Sequence, residues 1–445
     1  MATQSDKTFL DVVVIGAGLG GICAAVKLRE HYPHATLGVF EKNARIGGTW
    51  AKNTYPGLRC DIPSQLYSYS FAPNPNWSTT YASQPEILSY IEHVAAKHGV
   101  AEYIRPNQEC LGATWSDEKS TWDVQFRSTE TNTIYTIQCR ILIASVGFLD
   151  IPRGPEDIAG IQDFRGEFIP WLVENAGVAR LTQVVRSAHW IAPKVDREIG
   201  RAEKWILSKI PWLSKARRWI LAVKFDLAFA AFRNNRLGRF LCAQLERSLK
   251  RYMQQTAPSR YHDLLIPTFS FGAKRPNDED IPADIIILAN GLKTQSLLAP
   301  MRIEGRDGAI LADFWHGDRQ WPAAYMGVAD PAFPNLFMIT GPNTLPLGHS
   351  TLLGIEHTVH YILRVIHSLL RGPARRIEVR AAAHDQFNSG LERRLDGLVL
   401  SGDVRNWYVD ERTRRNTLVW PGTQLEFWIS RCVRRVRCDD WEMEE

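Results

Sequence analysis

The feature that most constrains this 445-residue chain is a glycine-rich turn near the N-terminus. The run Asp11–Ile15 is rich in β-branched apolar residues, which is typical of a buried parallel strand. Next come the turn Gly16–Gly21, a helical pattern to Glu30, and a short apolar strand at 36–40 that ends at Glu41. This order predicts an α/β fold that binds the adenosine diphosphate half of a dinucleotide.

The residue types in the turn suit this interpretation. Gly16 permits the tight turn, Gly18 lets the backbone approach a pyrophosphate, and Gly21 lets the helix pack close to the strand. The helix N-terminus then offers free N–H groups to the phosphates. Glu41 lies 20 residues beyond Gly21, where a carboxylate can accept hydrogen bonds from ribose hydroxyls. The alternative is a glycine turn that serves packing alone.

Composition narrows the class of protein. Apolar residues make up 45% and charged residues 23%, which fits a globular protein and excludes disordered, collagen-like and coiled-coil chains. A net charge of +5 argues against a dedicated nucleic-acid binder. Seven cysteines without a CxxC pair predict reduced thiols. Because the N-terminus lacks the pattern of a secretory signal, we expect a cytoplasmic protein.

A basic helical segment occupies about residues 200–256. Between 201 and 260 there are 14 Lys or Arg and 3 Asp or Glu residues, and Trp205, Trp212 and Trp219 recur every seven residues. We interpret this segment as an inserted helical subdomain whose tryptophans form its core. The alternatives are an apolar substrate entrance or peripheral contact with a membrane surface. No integral membrane span is expected, since the most apolar stretch, 219–232, is shorter than the ~20 residues that a bilayer requires.

Further motifs are more specific than the glycine turn. Gly47–Trp50 reads GGTW and Tyr55–Asp61 reads YPGLRCD. With the turn and Glu41, these runs resemble the class B flavoprotein monooxygenases, the Baeyer–Villiger and flavin-containing monooxygenase group. The resemblance continues in the family's order through 61–64, 269–275, 282–291, 333–343 and 420–422.

The resemblance implies a flavoprotein with two dinucleotide-binding domains. The first part of a Rossmann-like FAD domain would occupy residues 1–165. An inserted, truncated NADPH-type domain with the helical subdomain would occupy 166–281. The second part of the FAD domain and a C-terminal segment would occupy 282–445.

The resemblance also implies FAD as cofactor, NADPH as co-substrate, and oxygen transfer from O2 to an organic small molecule. The apolar, Trp-rich insertion predicts that this substrate is a fairly large, apolar carbonyl compound, of secondary metabolism. Arg275 would be the active-site arginine and Asp61 the carboxylate that orients it; the alternatives are a surface arginine and a turn-forming aspartate. The cofactor-binding residues implied are Gly16, Gly18, Gly21, Glu41, Gly48, Thr49, Trp50, Asp61, Tyr67, Gly341 and Asn343.

The chain departs from the family pattern in the inserted domain. It has no second GxGxxG, and Pro170 and Glu174 stand where the fingerprint begun by Phe164 has histidine and tryptophan. The stretch from Gly166 to Arg186 is too short for the ~30 residues of a βαβ unit. A second shortening follows Arg275. Either both gaps are genuine or two coding segments are missing from the sequence. The remaining candidates for contact with NADPH are Arg59, Arg186 and Lys274.

Three functions therefore stay open. The leading hypothesis is an FAD-dependent monooxygenase of the Baeyer–Villiger type. The second is an FAD-binding oxidase, isomerase or cyclase that no longer uses NADPH. The third is a truncated, non-catalytic flavoprotein. No metal site is expected, because His357 and His360 share a helix without a third ligand and are more typical of a helix face.

Overall fold

The computed structural model describes residues 8–153, 175, 177, 190–194, 196–262, 291–317, 320–400, 407–410 and 412–445. The fingerprint that begins at Phe164, together with Arg186, Lys274 and Arg275, lies outside the described residues. The same holds for residues 283–288, whose apolar sequence predicts a strand.

The described ranges contain both strands and helices. The strands are β1 Phe9–Ile15, β2 Leu37–Phe40, β3 Ile104–Arg105, β4 Gln108–Ser116, β5 Thr121–Ser128, β6 Ile134–Ala144, β7 Arg302–Glu304, β8 Leu336–Met338, β9 Leu345–Pro346, β10 Arg376–Val379, β11 Val419–Trp420 and β12 Trp441–Glu444. The helices are α1 Leu19–His31, α2 Thr49–Lys52, α3 Gln84–Lys97, α4 Arg201–Lys209, α5 Pro211–Ala228, α6 Arg236–Thr256, α7 Leu311–His316, α8 Thr351–Val365, α9 His367–Arg371, α10 Ala381–Asp396 and α11 Gln424–Trp428.

One sheet organises the fold, with strand order β3-β2-β1-β6-β5-β4-β7 and β8 paired to β6. Strands β3, β2, β1, β6 and β8 run parallel, whereas β4, β5 and β6 are antiparallel. Ile15 pairs with both Phe40 and Ala144, and Ala144 pairs with Met338. The carboxyl ends of these four parallel strands therefore lie side by side.

Strand β1 is buried on both faces. Val12 and Val14 join one hydrophobic cluster, while Val13 and Ile15 join a second cluster on the opposite face. Successive side chains of a strand point to opposite faces, so a strand covered on both sides must be apolar throughout. This explains the unbroken apolar run and confirms the predicted parallel strand.

Helix α3 begins at Gln84, directly after the sequence Ser83-Gln84-Pro85-Glu86 starts. Ser83 is the N-cap residue, yet its side chain makes no capping hydrogen bond. Glu86 instead accepts from the backbone N–H and the hydroxyl of Ser78, both at 2.7 Å. The spacing of Ser83 and Glu86 in the sequence predicts a capping box. This prediction is wrong, because a nearby loop supplies donors to the Glu86 carboxylate.

The predicted helical subdomain is present as α4, α5 and α6. Trp205, Trp212 and Trp219 are 63%, 69% and 60% exposed, so the interpretation of these tryptophans as core is wrong. A seven-residue spacing shows which side chains share a helix face but not which face is covered. Here the opposite face of α5 packs inward.

Two sets of polar contacts attach α5 to the rest of the protein. The Arg218 guanidinium donates to the carbonyl oxygens of Gln65 and Ser68 and lies 3.8 Å from the carboxylate of Glu356 on α8. Burial raises the pKa of Glu356, an effect that Arg218 opposes. Asp226 accepts the N–H groups of Gln424 and Leu425, at 2.7 and 2.9 Å, at the N-terminus of α11. The subdomain is thus fixed to the α8 and α11 region.

None of the helices in the described ranges is both long and apolar enough to cross a bilayer.

Candidate active site

The carboxyl ends of the parallel strands open onto a cavity of about 460 Å³. Open α/β sheets bind ligands at this edge, and the volume is in the range of small-molecule sites. The predicted residues that line the cavity are Gly16, Gly18, Glu41, Gly48, Thr49, Trp50, Arg59, Asp61 and Tyr67. The structure therefore brings together most of the predicted site.

The glycine turn passes directly from β1 into α1. Gly16 has φ +97°, and a Cβ there would lie 2.6 Å from the carbonyl oxygen of Ser145 at the end of β6. A Cβ on Gly21 would overlap the carbonyl oxygen of Gly16. The first turn of α1 thus rests against the glycine turn itself, as predicted for a pyrophosphate-binding loop.

Glu41 is held at the end of β2 by three donors. Its side chain is buried, and one carboxylate oxygen accepts from the backbone N–H of Ala17 at 2.8 Å. The other oxygen accepts from the backbone N–H of Asn43 at 3.0 Å and from its amide at 2.6 Å. The carboxylate is therefore fixed beside the glycine turn, where ribose hydroxyls could reach its remaining lone pairs.

The GGTW motif forms a second backbone wall of the cavity. Gly48 has φ +55°, and a Cβ on it would come within 3.0 Å of the Gly18 Cα. The Gly18 and Gly48 backbones therefore pack directly against each other, which a side chain at Gly48 would disturb. The Trp50 indole N–H donates to the hydroxyl of Tyr67 at 3.0 Å, and the two rings meet edge to face at 5.7 Å. Burial raises the pKa of Tyr67, so its hydroxyl stays protonated.

Asp61 and Arg59 differ in their surroundings although both line the cavity. Asp61 is exposed, and its carboxylate makes no hydrogen bond or ion pair with the residues that the structure describes. Arg59 forms an ion pair with Asp196, whose other oxygen accepts from the Tyr81 N–H at 3.2 Å. The carboxylate of Asp61 is thus available to a basic partner, whereas the Arg59 guanidinium is already engaged.

Gly341 and Asn343 lie behind the cavity wall, which Thr340 reaches instead. A Cβ on Gly341 would overlap the carbonyl oxygen of Gly327. The Asn343 amide donates to the carbonyl oxygens of Asn416 and Val419, at 2.8 and 3.0 Å. These two residues fasten the loop after β8; direct contact with a cofactor stays a prediction for them.

Comparison with known proteins identifies the family. Residues 14–83 match the NAD(P)-binding Rossmann-like domain. A Baeyer–Villiger monooxygenase of Streptomyces coelicolor is 30% identical over 498 residues, covering 97% of this chain and 92% of that protein. The chain belongs to the Baeyer–Villiger monooxygenase family. The resemblance to class B flavoprotein monooxygenases is thereby confirmed. The FAD-binding monooxygenase ktnD of Aspergillus niger is 28% identical across 98% of this chain and 82% of that protein. This similarity supports the leading hypothesis of an FAD-dependent monooxygenase.

Solved structures of this family share the fold. A closed crystal structure of cyclohexanone monooxygenase has a TM-score of 0.79 at 21% identity and covers 98% of this chain and 99% of that chain. A steroid monooxygenase bound to NADP has a TM-score of 0.77 at 21% identity, with 98% and 100% covered. The predicted architecture of a flavoprotein with two dinucleotide-binding domains is confirmed. The 498-residue alignment also exceeds the 445 residues of this chain, so the Streptomyces relative has segments that this member lacks.

A lysine–aspartate cluster on the cavity wall was not foreseen. The ammonium group of Lys42 pairs with Asp150, and that of Lys52 contacts the same carboxylate at 2.9 Å. Burial opposes ionisation, but the hydrogen bonds from the two lysines outweigh it and lower the pKa of Asp150. Neither a motif nor a spacing signals this contact, which joins residues about a hundred positions apart in the chain.

An aromatic and histidine wall completes the cavity. Trp407 stacks on Phe148 at 6.1 Å and contacts Tyr408 at 4.1 Å. His349 accepts the Ser350 N–H at Nδ1, 2.8 Å away, so Nε2 carries the proton and donates to the Ala222 carbonyl of α5 at 3.2 Å. Burial lowers the pKa of His349, which keeps the ring neutral. In the sequence, the only sign of this cavity wall is the adjacent aromatic pair Trp407 and Tyr408.

The sequence predicts that His357 and His360 do not form a metal site. Among the described residues no group of three or more His, Cys, Asp or Glu side chains could hold a metal ion. His357 is half-buried on α8 and faces the Gln424 amide at 3.1 Å. Burial, reinforced by the charges of Arg431 and Arg218, lowers the pKa of His357 to about 3. The His357 imidazole is therefore uncharged at neutral pH.

We expect His357 to make the protein sensitive to acid. Its folded pKa lies below the unfolded value of about 6.5, so its contribution to stability is complete above pH ~6.5 and decreases as the pH falls towards 3. Between pH 6.5 and 5 the loss is about 2 kcal/mol. Urea unfolding of the wild type and of His357→Gln should show a shallower pH dependence in the variant. Identical slopes in the two proteins would contradict this assignment.

Proposed function

We propose that the chain is an FAD-dependent monooxygenase of the Baeyer–Villiger type, which uses NADPH and O2 to transfer one oxygen atom to an apolar carbonyl compound. The observation that carries this proposal is an intact first dinucleotide site in a chain that aligns over 97% of its length with a Baeyer–Villiger monooxygenase. The seven free cysteines support a cytoplasmic location.

The described residues fit an FAD molecule at this site. Gly18 and Gly48 both line the cavity without side chains, so an extended phosphate chain could approach their backbones closely at the N-terminus of α1. Glu41, already oriented by Ala17 and Asn43, would accept the ribose hydroxyls. Trp50 and Tyr67 would border the flavin end. FAD bound there supplies the electron transfer and the activation of O2, for which no side chain is suited.

The protein residues would then position the substrate and exclude water. The tyrosine hydroxyl of Tyr67 is oriented by the Trp50 indole and stays neutral, so it can offer a hydrogen bond without adding charge. The ring pair Phe148 and Trp407 provides apolar surface for a carbonyl compound. Asp61 would orient Arg275, whose guanidinium would stabilise negative charge during oxygen transfer.

NADPH would approach from the inserted domain. Arg59 is the described candidate for its contact, and its present pairing with Asp196 would have to open or be shared. Arg186 and Lys274 are the other candidates. A second function, an FAD-binding oxidase, isomerase or cyclase independent of NADPH, is favoured by the missing second glycine turn and by the segments that this chain lacks.

Anaerobic mixing with NADPH separates the two functions. The purified FAD-bound protein should lose its oxidised flavin absorbance when NADPH is added, and dithionite serves as the control that the flavin is reducible. With air and a panel of apolar ketones, mass spectrometry should then find products one oxygen atom heavier. A flavin that dithionite reduces but excess NADPH does not would reject the NADPH-dependent reaction and favour the second function.

A further inference from the structure

Helix α5 has apolar side chains on two opposite faces. Its inner face carries Arg218, Ala222 and Phe225, which contact the rest of the protein, and Phe229 directly after the helix is buried. Its outer face is not covered by any of the residues that the structure describes. The large apolar residues there are Trp212, 69% exposed; Trp219, 60%; Ile220, 57%; Val223, 52%; and Leu227, 70%.

These outer residues form one continuous stripe. At 3.6 residues per turn they fall within an arc of about 100°, and from Trp212 to Leu227 the stripe is about 22 Å long. Lys215 and Lys224, both exposed, flank the stripe on its two sides. Trp205, exposed on the preceding helix α4, adds a third tryptophan near one end. Single exposed apolar residues are ordinary, but a contiguous stripe of this kind marks an interaction surface.

The charge around the stripe is strongly positive. Between residues 201 and 260 there are 14 basic and 3 acidic residues, whereas the whole chain has a net charge of only +5, so the remainder is acidic. All three acidic side chains have partners. Glu203 binds Arg197 and Arg217, Asp226 accepts two N–H groups of α11, and Glu246 pairs with Lys250 at 2.7 Å. The positive charge therefore remains uncompensated within the subdomain.

We propose that this outer face of α5 docks on an anionic lipid bilayer. Tryptophans, aliphatic side chains and flanking lysines on one helix are the combination that binds membrane interfaces. A second copy of the chain would bring two strongly basic surfaces together, and a nucleic acid would not cover Ile220, Val223 and Leu227. The helix would lie in the interface plane, with its inner face still attached to the α8 and α11 region.

Vesicle flotation tests the proposal with the full-length protein, and it does not depend on the reaction. Vesicles of phosphatidylcholine alone are compared with vesicles that also contain phosphatidylglycerol. We expect wild-type protein to float with the anionic vesicles, to bind neutral vesicles more weakly, and to be released by high salt. Trp219→Asp combined with Leu227→Asp should lower the binding by about tenfold or more.

A matched double variant controls for the added charge. Ile134 and Met443 are 55% and 47% exposed on other parts of the surface, so Ile134→Asp with Met443→Asp makes the same kind of change elsewhere. This control should float like the wild type, and circular dichroism should show that both variants are folded. Equal flotation of the two double variants overturns the proposal. The proposal is also overturned if the wild-type protein floats with neither kind of vesicle. It is likewise overturned if this face instead mediates self-association of the protein.

Discussion

Replacing Gly21 with alanine is expected to produce a protein that holds its flavin poorly. A Cβ at this position would overlap the carbonyl oxygen of Gly16, so the first turn of α1 would have to move away from the glycine turn. Such overpacking costs about 1–3 kcal/mol. Because the displaced turn and helix N-terminus are the proposed pyrophosphate site, FAD affinity should fall about 10- to 100-fold. Fluorescence titration of the flavin-free protein with FAD measures this change.

Gly390→Ala is the matched control for this substitution. Gly390 also lies within a helix, α10, but a Cβ there would have only the Arg393 guanidinium as a neighbour, at 4.0 Å. Alanine should therefore be neutral or stabilise the helix by about 0.5–1 kcal/mol, with FAD affinity unchanged. If Gly21→Ala bound FAD as tightly as Gly390→Ala, the packing role given to Gly21 would be wrong.

Arg275→Ala should slow oxygen transfer by about two orders of magnitude while the flavin remains bound. Removing one fixed donor from a site where negative charge develops costs about 10²–10³-fold in rate. Asp61, the residue proposed to orient this arginine, lines the cavity, and its carboxylate has no hydrogen-bond partner among the described residues. We therefore expect the variant to keep consuming NADPH while product formation, followed by mass spectrometry, falls by about two orders of magnitude.

The conservative variant Arg275→Lys distinguishes charge from geometry. Lysine keeps the positive charge but lacks the planar fork of donors, so an intermediate rate is expected. Flavin content, read from the absorbance spectrum, should match the wild type in both variants. Product formation by Arg275→Ala at the wild-type rate would remove Arg275 from the proposed site.

The first dinucleotide site was predictable because its determinants are local. The strand before Gly16, the glycines and Glu41 lie within about thirty residues, and each is demanded by backbone geometry or by a ligand group. The structure places Gly16, Gly18 and Glu41 on one cavity. In this segment, the spacing of the residues along the chain determines where they lie in the site.

The rest of the site depends on contacts between distant segments. The cluster of Lys42, Lys52 and Asp150 forms only after β6 has paired with β1, and no local pattern indicates it. The prediction that the tryptophans of α4 and α5 form a core was wrong for a related reason. Their spacing placed them on one face, but which face is covered depends on how Arg218 and Asp226 attach α5 to the protein.

The flavin content of the purified protein tests the central claim most directly. Heat or acid should release FAD, and chromatography with absorbance detection should find about one FAD per chain, either as purified or after incubation with FAD. A protein that is folded by circular dichroism and yet colourless after that incubation would contradict the assignment of the glycine turn, of Glu41, and of the function built on them.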